Sequence, residues 1–392
     1  MMNWKTLKWF IYMAQECKNI SIIGAGASGC ICAYFLLKSG FDVNLFDFGE
    51  PLRTLLPTGG GRCNLAHAEF DFMELAKNYP RGEKFLYSVF SRFSTDDTIS
   101  LFKELGVETY IQEDGRIFPK SNSSKDVRDK ILNKIKSLGA NIVREKVSEI
   151  IPFENEYKIL TNKAEYLFTN IVISSGGRGV IKGIEHNIIS FTPSLVGLNA
   201  DSDKELSGLV VKNVYSNDFK ISGNILFTHF GVSGPLIYTI SSLKAKDKIP
   251  YKLSFDLSAN LDNLQEILNK NPHKDLKNII SEFLPERLSK SILLELGNKK
   301  AHTIDGKTRD FILDKIHNYT LAVSGTNKGE ETVTAGGYDL NEVNPKTMES
   351  KIHKGIYFTG EVLNIDGFCG GFNLQNAWST AFVAADSIIN SK

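Results

Sequence analysis

The chain has 392 residues, more than a single hydrophobic core usually encloses, so its length predicts two or three domains. Its 46 basic and 45 acidic residues give a formal net charge of +1, which provides no overall attraction to nucleic acid or anionic lipid. No apolar run approaches the roughly 20 residues that a membrane span needs. We therefore expect a small-molecule substrate, no nucleic-acid partner and no membrane association, whereas the composition leaves the oligomeric state open.

Cysteine usage gives no support for a disulfide framework, a zinc site or a redox dithiol. The number is odd, and no two cysteines have the CxxC spacing that zinc ligands and redox pairs use. We interpret them mostly as packing residues in a reduced, cytoplasmic environment, with a ligand contact or a reactive thiol as the alternative for Cys369, and we predict no metal site. The cysteines are Cys17, Cys30, Cys32, Cys63 and Cys369.

Residues 1–18 precede the first predicted strand and form an N-terminal extension. The segment from Trp4 to Met13 is apolar, but it is too short and wrongly flanked for a signal peptide. One explanation is that translation of the native protein begins at Met13.

The first strong pattern is a strand–turn–helix–strand unit. Asn19 to Ile23 is a short apolar run typical of a buried strand, and Gly24 to Gly29 form a turn. Cys30 to Lys38 has the pattern of a helix, which Gly40 closes. Val43 to Phe46 alternates as a second strand. This order predicts a parallel sheet with right-handed crossovers.

Apolar periodicity and turn residues assign the rest of the chain. The predicted elements are a Gly-rich loop at 51–64, helices at about 82–105, strands Val107–Gln112 and Arg116–Phe118 around an Asp114-Gly115 turn, a helix Val127–Leu138, strands near 141–144, 147–152, 157–160 and 166–174, short strands over 190–258, short helices over 261–318, strand and loop over 325–359, and a helix Leu374–Ile389. This succession predicts a discontinuous α/β domain, 19–189 and 325–392. The inserted domain, 190–324, is predicted to be β-rich over 190–258 and helical over 259–324.

Residues 24–29, Gly-Ala-Gly-Ala-Ser-Gly, match the GxGxxG pattern of dinucleotide-binding turns. The first glycine permits the tight turn, the second lets the backbone approach a pyrophosphate, and the third lets helix and strand pack closely. The helix N-terminus adds free N–H groups and a partial positive charge. Asp47, at the end of the second strand, would accept hydrogen bonds from a ribose diol and would repel the 2′-phosphate of NADP. A Gly-rich turn without a ligand is the alternative, but this context favours FAD or NAD.

A second Gly-rich loop covers residues 57–64, Pro-Thr-Gly-Gly-Gly-Arg-Cys-Asn. Three consecutive glycines are costly in chain entropy, and they suit a loop that lies against a flat ligand or presents several N–H groups in one concavity. Arg62 could pair with a phosphate, and Asn64 could hold a polar ring edge. A flexible surface loop is the alternative for these residues alone.

A third Gly-rich set lies near the C-terminus, where Thr359-Gly360-Glu361 is followed by the loop from Gly367 to Asn373. A predicted strand ends at Gly360-Glu361, and Gly370-Gly371 leads into a helix. As in the first motif, glycines connect the end of a strand to the start of a helix. A helix N-terminus beside a flavin pyrimidine can stabilise the anion formed on reduction. A strand–helix unit that simply closes the domain is the alternative.

Together with residues 227–235 (FTHFGVSGP) and 334–337 (TAGG), these motifs resemble in order the BaiN/YhiN-like family of FAD-dependent flavoproteins, also called the aminoacetone oxidase family, over about 19–392. The resemblance implies a discontinuous, Rossmann-like FAD-binding domain of the two-dinucleotide-binding type with an inserted β-barrel and helical part. It also implies redox activity on small molecules, with bile-acid enone reduction and amine oxidation among the activities. The predicted cofactor-binding residues are Gly24, Gly26, Ala27, Ser28, Gly29, Asp47, Gly60, Gly61, Arg62, Cys63, Asn64, Val147, Gly176, Gly177, Gly360, Glu361, Gly370, Gly371, Asn373 and Leu374.

The chain departs from the family pattern at three places. Asp47 stands where glutamate is usual, Ser174-Ser175 precedes Gly176-Gly177 where Ala-Thr is common, and Phe368-Cys369 replaces an aromatic–aliphatic pair. These changes leave FAD binding expected, but they weaken any close analogy of substrate.

These observations predict an FAD-dependent oxidoreductase. NADH or NADPH would bind transiently, since the chain has no second GxGxxG, and its hydride would pass through the flavin to an activated C=C or C=N bond. Amine oxidation with oxygen is the other direction. His229 is the candidate proton donor, although a histidine that bonds a turn backbone is the alternative. The other functions left open are a flavin-dependent RNA-modifying protein, against which the neutral charge counts, and a non-catalytic flavin-binding regulatory protein.

Overall fold

The structure is a computed structural model that describes residues 19–177, 179–258, 261, 263–327 and 333–391, so the N-terminal extension lies outside the described residues. The chain divides into two compact units. The first, the α/β unit, comprises residues up to 192 and from 333 onward, and the second, the barrel unit, comprises residues 193–332. The predicted insertion covered 190–324.

The described helices and strands follow one another along three stretches of chain. The first stretch contains β1 (Asn19–Ile23), α1 (Ala27–Lys38), β2 (Asp42–Phe46), β3 (Ala66–His67), α2 (Phe72–Ala76), α3 (Glu83–Phe90), α4 (Thr95–Glu104), β4 (Thr109–Ile111), β5 (Arg116–Pro119), α5 (Ser124–Ser137), β6 (Asn141–Val143), β7 (Val147–Phe153), β8 (Glu156–Thr161), β9 (Glu165–Phe168), β10 (Asn170–Ile173) and β11 (Ile188–Ser194). The second contains β12 (Leu198–Ala200), β13 (Val210–Ser216), β14 (Ile221–Thr228), β15 (Gly231–Ser233), α6 (Pro235–Leu243), β16 (Tyr251–Asp256), α7 (Leu264–Lys270), α8 (Leu276–Ile280), α9 (Glu286–Ile292), α10 (Gly306–His317) and β17 (Tyr319–Thr326). The third contains β18 (Val333–Tyr338), β19 (Ile356–Phe358) and α11 (Phe372–Asn390).

The α/β unit is built on a five-stranded parallel sheet in the order β19-β10-β1-β2-β6. Its central strands are apolar on both faces, and Ile20, Ile22 and Ile171 are fully buried, as expected where helices cover a parallel sheet. The first helix, α1, packs against α11, with the rings of Phe35 and Phe382 in an edge-to-face contact at 5.1 Å. The sheet therefore holds the first predicted βαβ unit at its centre.

The predicted strand at 166–174 is wrong, because the chain forms two strands there. The strand β9 pairs antiparallel with β8, whereas β10 pairs parallel with β1. The two strands belong to different sheets, so the chain must bend at Thr169 between them. Two further small sheets have the orders β3-β5-β4 and β11-β18.

The barrel unit contains a closed barrel with the strand order β12-β15-β14-β13-β16-β17. The prediction that 259–324 is helical is wrong at its end, because Tyr319–Thr326 forms β17, which closes the barrel between β16 and β12. Buried Leu321 and Val323 alternate there with exposed Thr320 and Ala322, which is the two-residue period of a strand. In the part of the chain that the structure describes, no helix is long and apolar enough to cross a membrane.

The C-terminal helix α11 is anchored by polar contacts inside the α/β core. Fully buried Trp378 donates a hydrogen bond from its indole Nε1 to the Leu65 carbonyl at 2.9 Å, and its ring lies 5.2 Å from that of Phe102. One turn earlier, buried Gln375 accepts from the Thr98 hydroxyl at 3.0 Å. These bonds fix the helix against the segment that follows the second Gly-rich loop.

We expect Trp378→Phe to lower the free energy of unfolding by about 2–4 kcal/mol, because it removes the donor to a buried carbonyl and leaves a cavity. Thermal and urea unfolding of the purified protein measure this change. Leu167→Ala is the control, since Leu167 is exposed on β9 and its truncation should leave stability nearly unchanged. A Phe variant as stable as the control would show that the indole bond does not anchor α11.

Candidate functional site

The first Gly-rich turn connects β1 to α1 with two different kinds of glycine. A methyl group on Gly24 would overlap the Ser174 carbonyl oxygen, and one on Gly29 would overlap the Gly24 carbonyl oxygen. A methyl group on Gly26 would meet nothing within 4 Å. Gly24 and Gly29 are therefore required for backbone packing, whereas Gly26 leaves open space beside the turn.

The N-terminus of α1 is available to an anion. Gly26 precedes the helix, no side chain caps it, and the first turn has no acidic residue. Buried Ser28 donates a long hydrogen bond of 3.4 Å to the Thr359 carbonyl. Its hydroxyl therefore lies beside the C-terminal end of β19. The N–H groups of the first helical turn, which have no partner within the helix, and the helix dipole make this position suitable for a pyrophosphate.

Asp47 follows β2, and its carboxylate bonds the backbone of the first Gly-rich turn. Its Oδ2 accepts a hydrogen bond from the Ala25 N–H, and its Oδ1 accepts one from the Gly49 N–H, each at 2.8 Å. Each carboxylate oxygen keeps further acceptor capacity, so the predicted bond to a ribose diol is compatible with these contacts. The short Asp47 side chain thus stabilises the Gly-rich turn and remains half-buried at its edge.

The second Gly-rich loop is folded by its own side chains. The guanidinium of Arg62 lies 4.0 Å from the centre of the Phe118 ring. With its amide oriented to satisfy its neighbours, Asn64 donates to the Ile117 and Ala66 carbonyls at 3.2 and 3.0 Å and accepts from the Gly371 N–H at 3.0 Å. Both amide hydrogens are therefore used, and only one lone pair of Oδ1 remains for the ring edge that the sequence suggested.

The third Gly-rich segment begins where β19 ends. A methyl group on Gly360 would lie 2.6 Å from the Ser28 hydroxyl, so this glycine packs against the start of α1. Glu361 accepts hydrogen bonds from the N–H groups of Thr334, at 2.8 Å, and Gly177. Burial, and more weakly the negative charge of Asp366, raise the pKa of the Glu361 carboxyl to about 7.

The loop before α11 meets the second Gly-rich loop directly. Gly371 has φ +97°, and a methyl group on it would overlap the Ala66 carbonyl oxygen. Asn373 closes this loop, since its Oδ1 accepts from the Gly367 N–H and its Nδ2 donates to the Gly367 carbonyl, both at 2.8 Å. The ring of His67 stacks on Phe372 at 4.8 Å.

His67 is a site residue that the sequence reasoning missed. Its Nδ1 lies 3.1 Å from the Gly370 carbonyl oxygen, which places the imidazole between the second and third Gly-rich segments. The only signal was its position three residues after Asn64, and nothing in the sequence links it to residue 370.

The remaining predicted residues are placed as follows. Gly60, Gly61 and Gly176 each have open space where a side chain would lie, and Val147 opens β7 and is buried. Ala27 and Leu374 lie in the first turns of α1 and α11. The predicted proton donor, His229, is exposed on the turn between β14 and β15 of the barrel unit, with its ring 5.1 Å from that of Phe230.

Four described cysteines have free thiols. Cys30, Cys32 and Cys63 are buried as expected, and burial raises the pKa of the Cys63 thiol to about 12, so its predicted contact would be made by a neutral thiol. The interpretation of Cys369 as a packing residue is wrong, because it is exposed in the loop before α11. Cys17 lies outside the described residues.

The residues of the α/β unit fit an FAD molecule. The uncapped helix N-terminus and the bare backbone at Gly26, Gly60 and Gly176 offer N–H groups to a long anionic ligand without steric obstruction. The hydroxyl of buried Thr359, next to Gly360, is one of several buried polar groups in the described residues that have no hydrogen-bond partner, so it has donor and acceptor capacity left for a ligand.

The fold and this site define an FAD-binding oxidoreductase of the Rossmann type. The chain belongs to the family described as the HI0933-like protein Rossmann domain, whose model matches residues 18–387, so the resemblance to the BaiN/YhiN-like proteins is confirmed. The chain is 31% identical to a ribosomal RNA dihydrouridine synthase of Haemophilus influenzae, over 96% of this chain and 99% of the relative. It is 25% identical to a 3-dehydro-bile acid delta(4,6)-reductase of Clostridium scindens, over 93% and 98%. A solved 3-ketosteroid delta1-dehydrogenase from Sterolibacterium denitrificans shares the fold, with a TM-score of 0.53 and 12% identity over 96% of this chain and 100% of that chain.

Two neighbouring glycine substitutions should separate cofactor binding from folding. Gly26→Ala places its methyl group in open space, so the fold should persist while the affinity for FAD falls at least tenfold. Gly29→Ala forces a methyl group into backbone and should destabilise the protein by about 3 kcal/mol or prevent folding. Thermal unfolding and titration of the apoprotein with FAD measure the two effects. Equal FAD affinity for the Gly26 variant and the wild type would rule out a pyrophosphate at this turn.

Glu361→Gln should reveal the raised pKa as a pH-dependent difference in stability. In the wild type the folded carboxyl keeps its proton up to a pKa of about 7, whereas the ordinary value is 4.5, so its contribution to stability falls as the pH rises between these values. The glutamine cannot ionise, and its amide oxygen can still accept a hydrogen bond. The variant should therefore gain stability relative to the wild type between about pH 5 and pH 8 in thermal unfolding of the apoprotein. A difference that stays constant over this range would contradict the assignment.

Proposed function

We propose that this protein is a flavin-dependent reductase of a C=C bond conjugated to a carbonyl group, and that its substrate is the uracil ring of a uridine in RNA. The observation that carries the proposal is the likeness, over nearly the full length of both chains, to the dihydrouridine synthase of Haemophilus influenzae. Dihydrouridine is uridine with the C5–C6 double bond reduced, and that bond is conjugated to the C4 carbonyl.

The bile-acid reductase relative supports the same reaction type. A delta(4,6) double-bond system in a 3-oxo steroid is conjugated to its carbonyl, as the uracil bond is. In both cases the distal carbon gains a hydride and the carbon beside the carbonyl gains a proton. The common chemistry is therefore a two-electron reduction of a double bond. The two relatives differ in the molecule that contains this bond, which is an RNA for one and a steroid for the other.

FAD, when bound, supplies the hydride-transfer chemistry for this reaction. The N-terminus of α1 would hold its pyrophosphate, and Asp47 would accept hydrogen bonds from its ribose. The N-terminus of α11 at Gly371 would supply a partial positive charge that stabilises the reduced flavin.

We propose a reduced nicotinamide as the electron donor and His229 as the proton donor. The donor would bind only for the reductive step, since the sequence has no second GxGxxG. The exposed imidazole of His229 can recover its proton from solvent between turnovers. The expectation of no nucleic-acid partner rested on the neutral net charge and on the absence of long Lys/Arg clusters, and this proposal departs from it.

Anaerobic reaction of the purified protein with donor and substrate tests the proposal. We expect bound FAD, bleaching of its absorbance by NADH or NADPH, and reoxidation on addition of a uridine-containing ribosomal RNA transcript, with a mass gain of two hydrogens at one nucleotide. The Gly26→Ala variant is the matched control, because it keeps the fold but should lose the cofactor. Reduced flavin that transfers nothing to RNA would contradict the choice of substrate.

A free small-molecule enone is the second candidate substrate. The neutral net charge of the chain and the bile-acid reductase relative both favour it. In the same assay a 3-oxo-4-ene steroid replaces the RNA. Reoxidation by the steroid, with none by RNA, would select this candidate, whereas a protein that binds no flavin would defeat both.

A further inference from the structure

A solvent-exposed aromatic side chain lies next in sequence to the predicted ribose-binding acid. Phe48 follows Asp47 directly, and its exposed fraction, 71%, is the highest of any phenylalanine in the described residues. A single exposed apolar residue needs no explanation by itself. The position of Phe48 next to the one acid predicted to bind a ribose gives it significance.

The backbone that carries Phe48 is fixed on both sides. The Asp47 N–H donates to the Val143 carbonyl at 3.1 Å, and the Asp47 carboxylate accepts from the Gly49 N–H at 2.8 Å. Arg144 pairs with Glu50 at 2.9 Å. The ring is therefore displayed from a well-braced segment.

The ring of Phe48 faces the connection between β6 and β7. The Lys146 ammonium lies 5.9 Å from the ring centre, and the Lys146 N–H donates to the Asn162 side-chain oxygen at 2.9 Å. Val147, a predicted cofactor contact, is the next residue and opens β7. An aromatic ring and a lysine thus lie next to the acid that is predicted to bind the ribose.

We propose that Phe48 is the stacking platform for the adenine of FAD, and that it makes the protein select FAD over FMN. Adenine is attached to the ribose that Asp47 is proposed to hold, so the base must lie close to this residue. A flat, electron-rich base stacks well on a phenyl ring, whereas FMN has no base and gains nothing there. This inference rests on the proposed FAD site and adds the residue that recognises its adenine half.

Titration of the apoprotein with FAD and with FMN tests the inference. Phe48→Leu keeps apolar bulk but removes the aromatic face, and it should weaken FAD binding about tenfold, since base–aromatic stacking is worth about 1–3 kcal/mol. FMN affinity should not change. Phe153→Leu is the matched control, because Phe153 is also exposed, at 44%, and also has a lysine above its ring, Lys158 at 5.3 Å, but it is remote in sequence from the ribose acid.

The outcomes separate this inference from the proposed function. FAD affinity that is equal in the Phe48 variant and the wild type would overturn the stacking role while the flavin site stands. Equal losses for FAD and FMN would also overturn it, since the effect would not come from adenine. A wild-type protein that binds neither flavin would remove the FAD site itself. Phe48 is exposed, so Phe48→Leu should leave the thermal unfolding midpoint unchanged, and this confirms that affinities are compared between folded proteins.

Discussion

The site depends on one close backbone approach, between Gly371 and Ala66. No side chain fits at residue 371, and the glycine takes a left-handed conformation that other residues rarely adopt. The Asn64 amide then bridges the two backbones, and the Trp378 indole donates to the Leu65 carbonyl about two helical turns further along α11. Two segments about 300 residues apart in sequence become one wall. Without this contact the second and third Gly-rich segments would not adjoin.

A second tie explains how the α/β unit tolerates a large insertion. The strands β11 and β18, at which the chain leaves and re-enters this unit, pair with each other. A methyl group on Gly336 of β18 would overlap the Ser190 carbonyl oxygen of β11, so the two backbones touch. Glu361 bonds the N–H groups of Thr334 and Gly177 and so joins the re-entering strand to the loop that follows β10. The Glu361 carboxyl in the third Gly-rich segment therefore also fixes the place where the chain re-enters the α/β unit.

Local motifs were readable from the sequence because their residues are required by backbone geometry. Gly24 and Gly29 pack against backbone atoms, and their spacing therefore indicated the turn, its helix and the parallel sheet. The family, the FAD-binding fold and the oxidoreductase class followed from such glycines and are confirmed. The predicted site residues themselves stay predictions, although the α/β unit brings most of them into three adjoining segments.

The errors came mainly from tertiary interactions, although Tyr319–Thr326 does carry the two-residue alternation of a strand. The segment Tyr319–Thr326 follows a run of helices and is a strand because the barrel needs it between β16 and β12. The run at 166–174 is apolar except for Thr169, Asn170 and Ser174, and the chain passes from one sheet to another at the first two of these residues. His67 gains its place from a carbonyl about 300 residues away. Tertiary pairing decides each of these cases, and a single sequence does not contain it.

Net charge is a weak guide to the substrate of such a protein. It is a sum over 392 residues, whereas recognition of one base depends on a few groups around the flavin. Basic residues that contact phosphates release counterions, and this release contributes free energy to RNA binding. A chain of net charge +1 obtains little binding free energy in this way overall. An enzyme of this kind must obtain its specificity from the shape of the substrate and from stacking and hydrogen bonds to the ring. A uracil and a steroid enone both offer a flat ring system with a conjugated carbonyl, so one flavin site can serve relatives with either kind of substrate. The neutral charge therefore constrains how an RNA would be held, and it does not by itself decide whether RNA is the substrate.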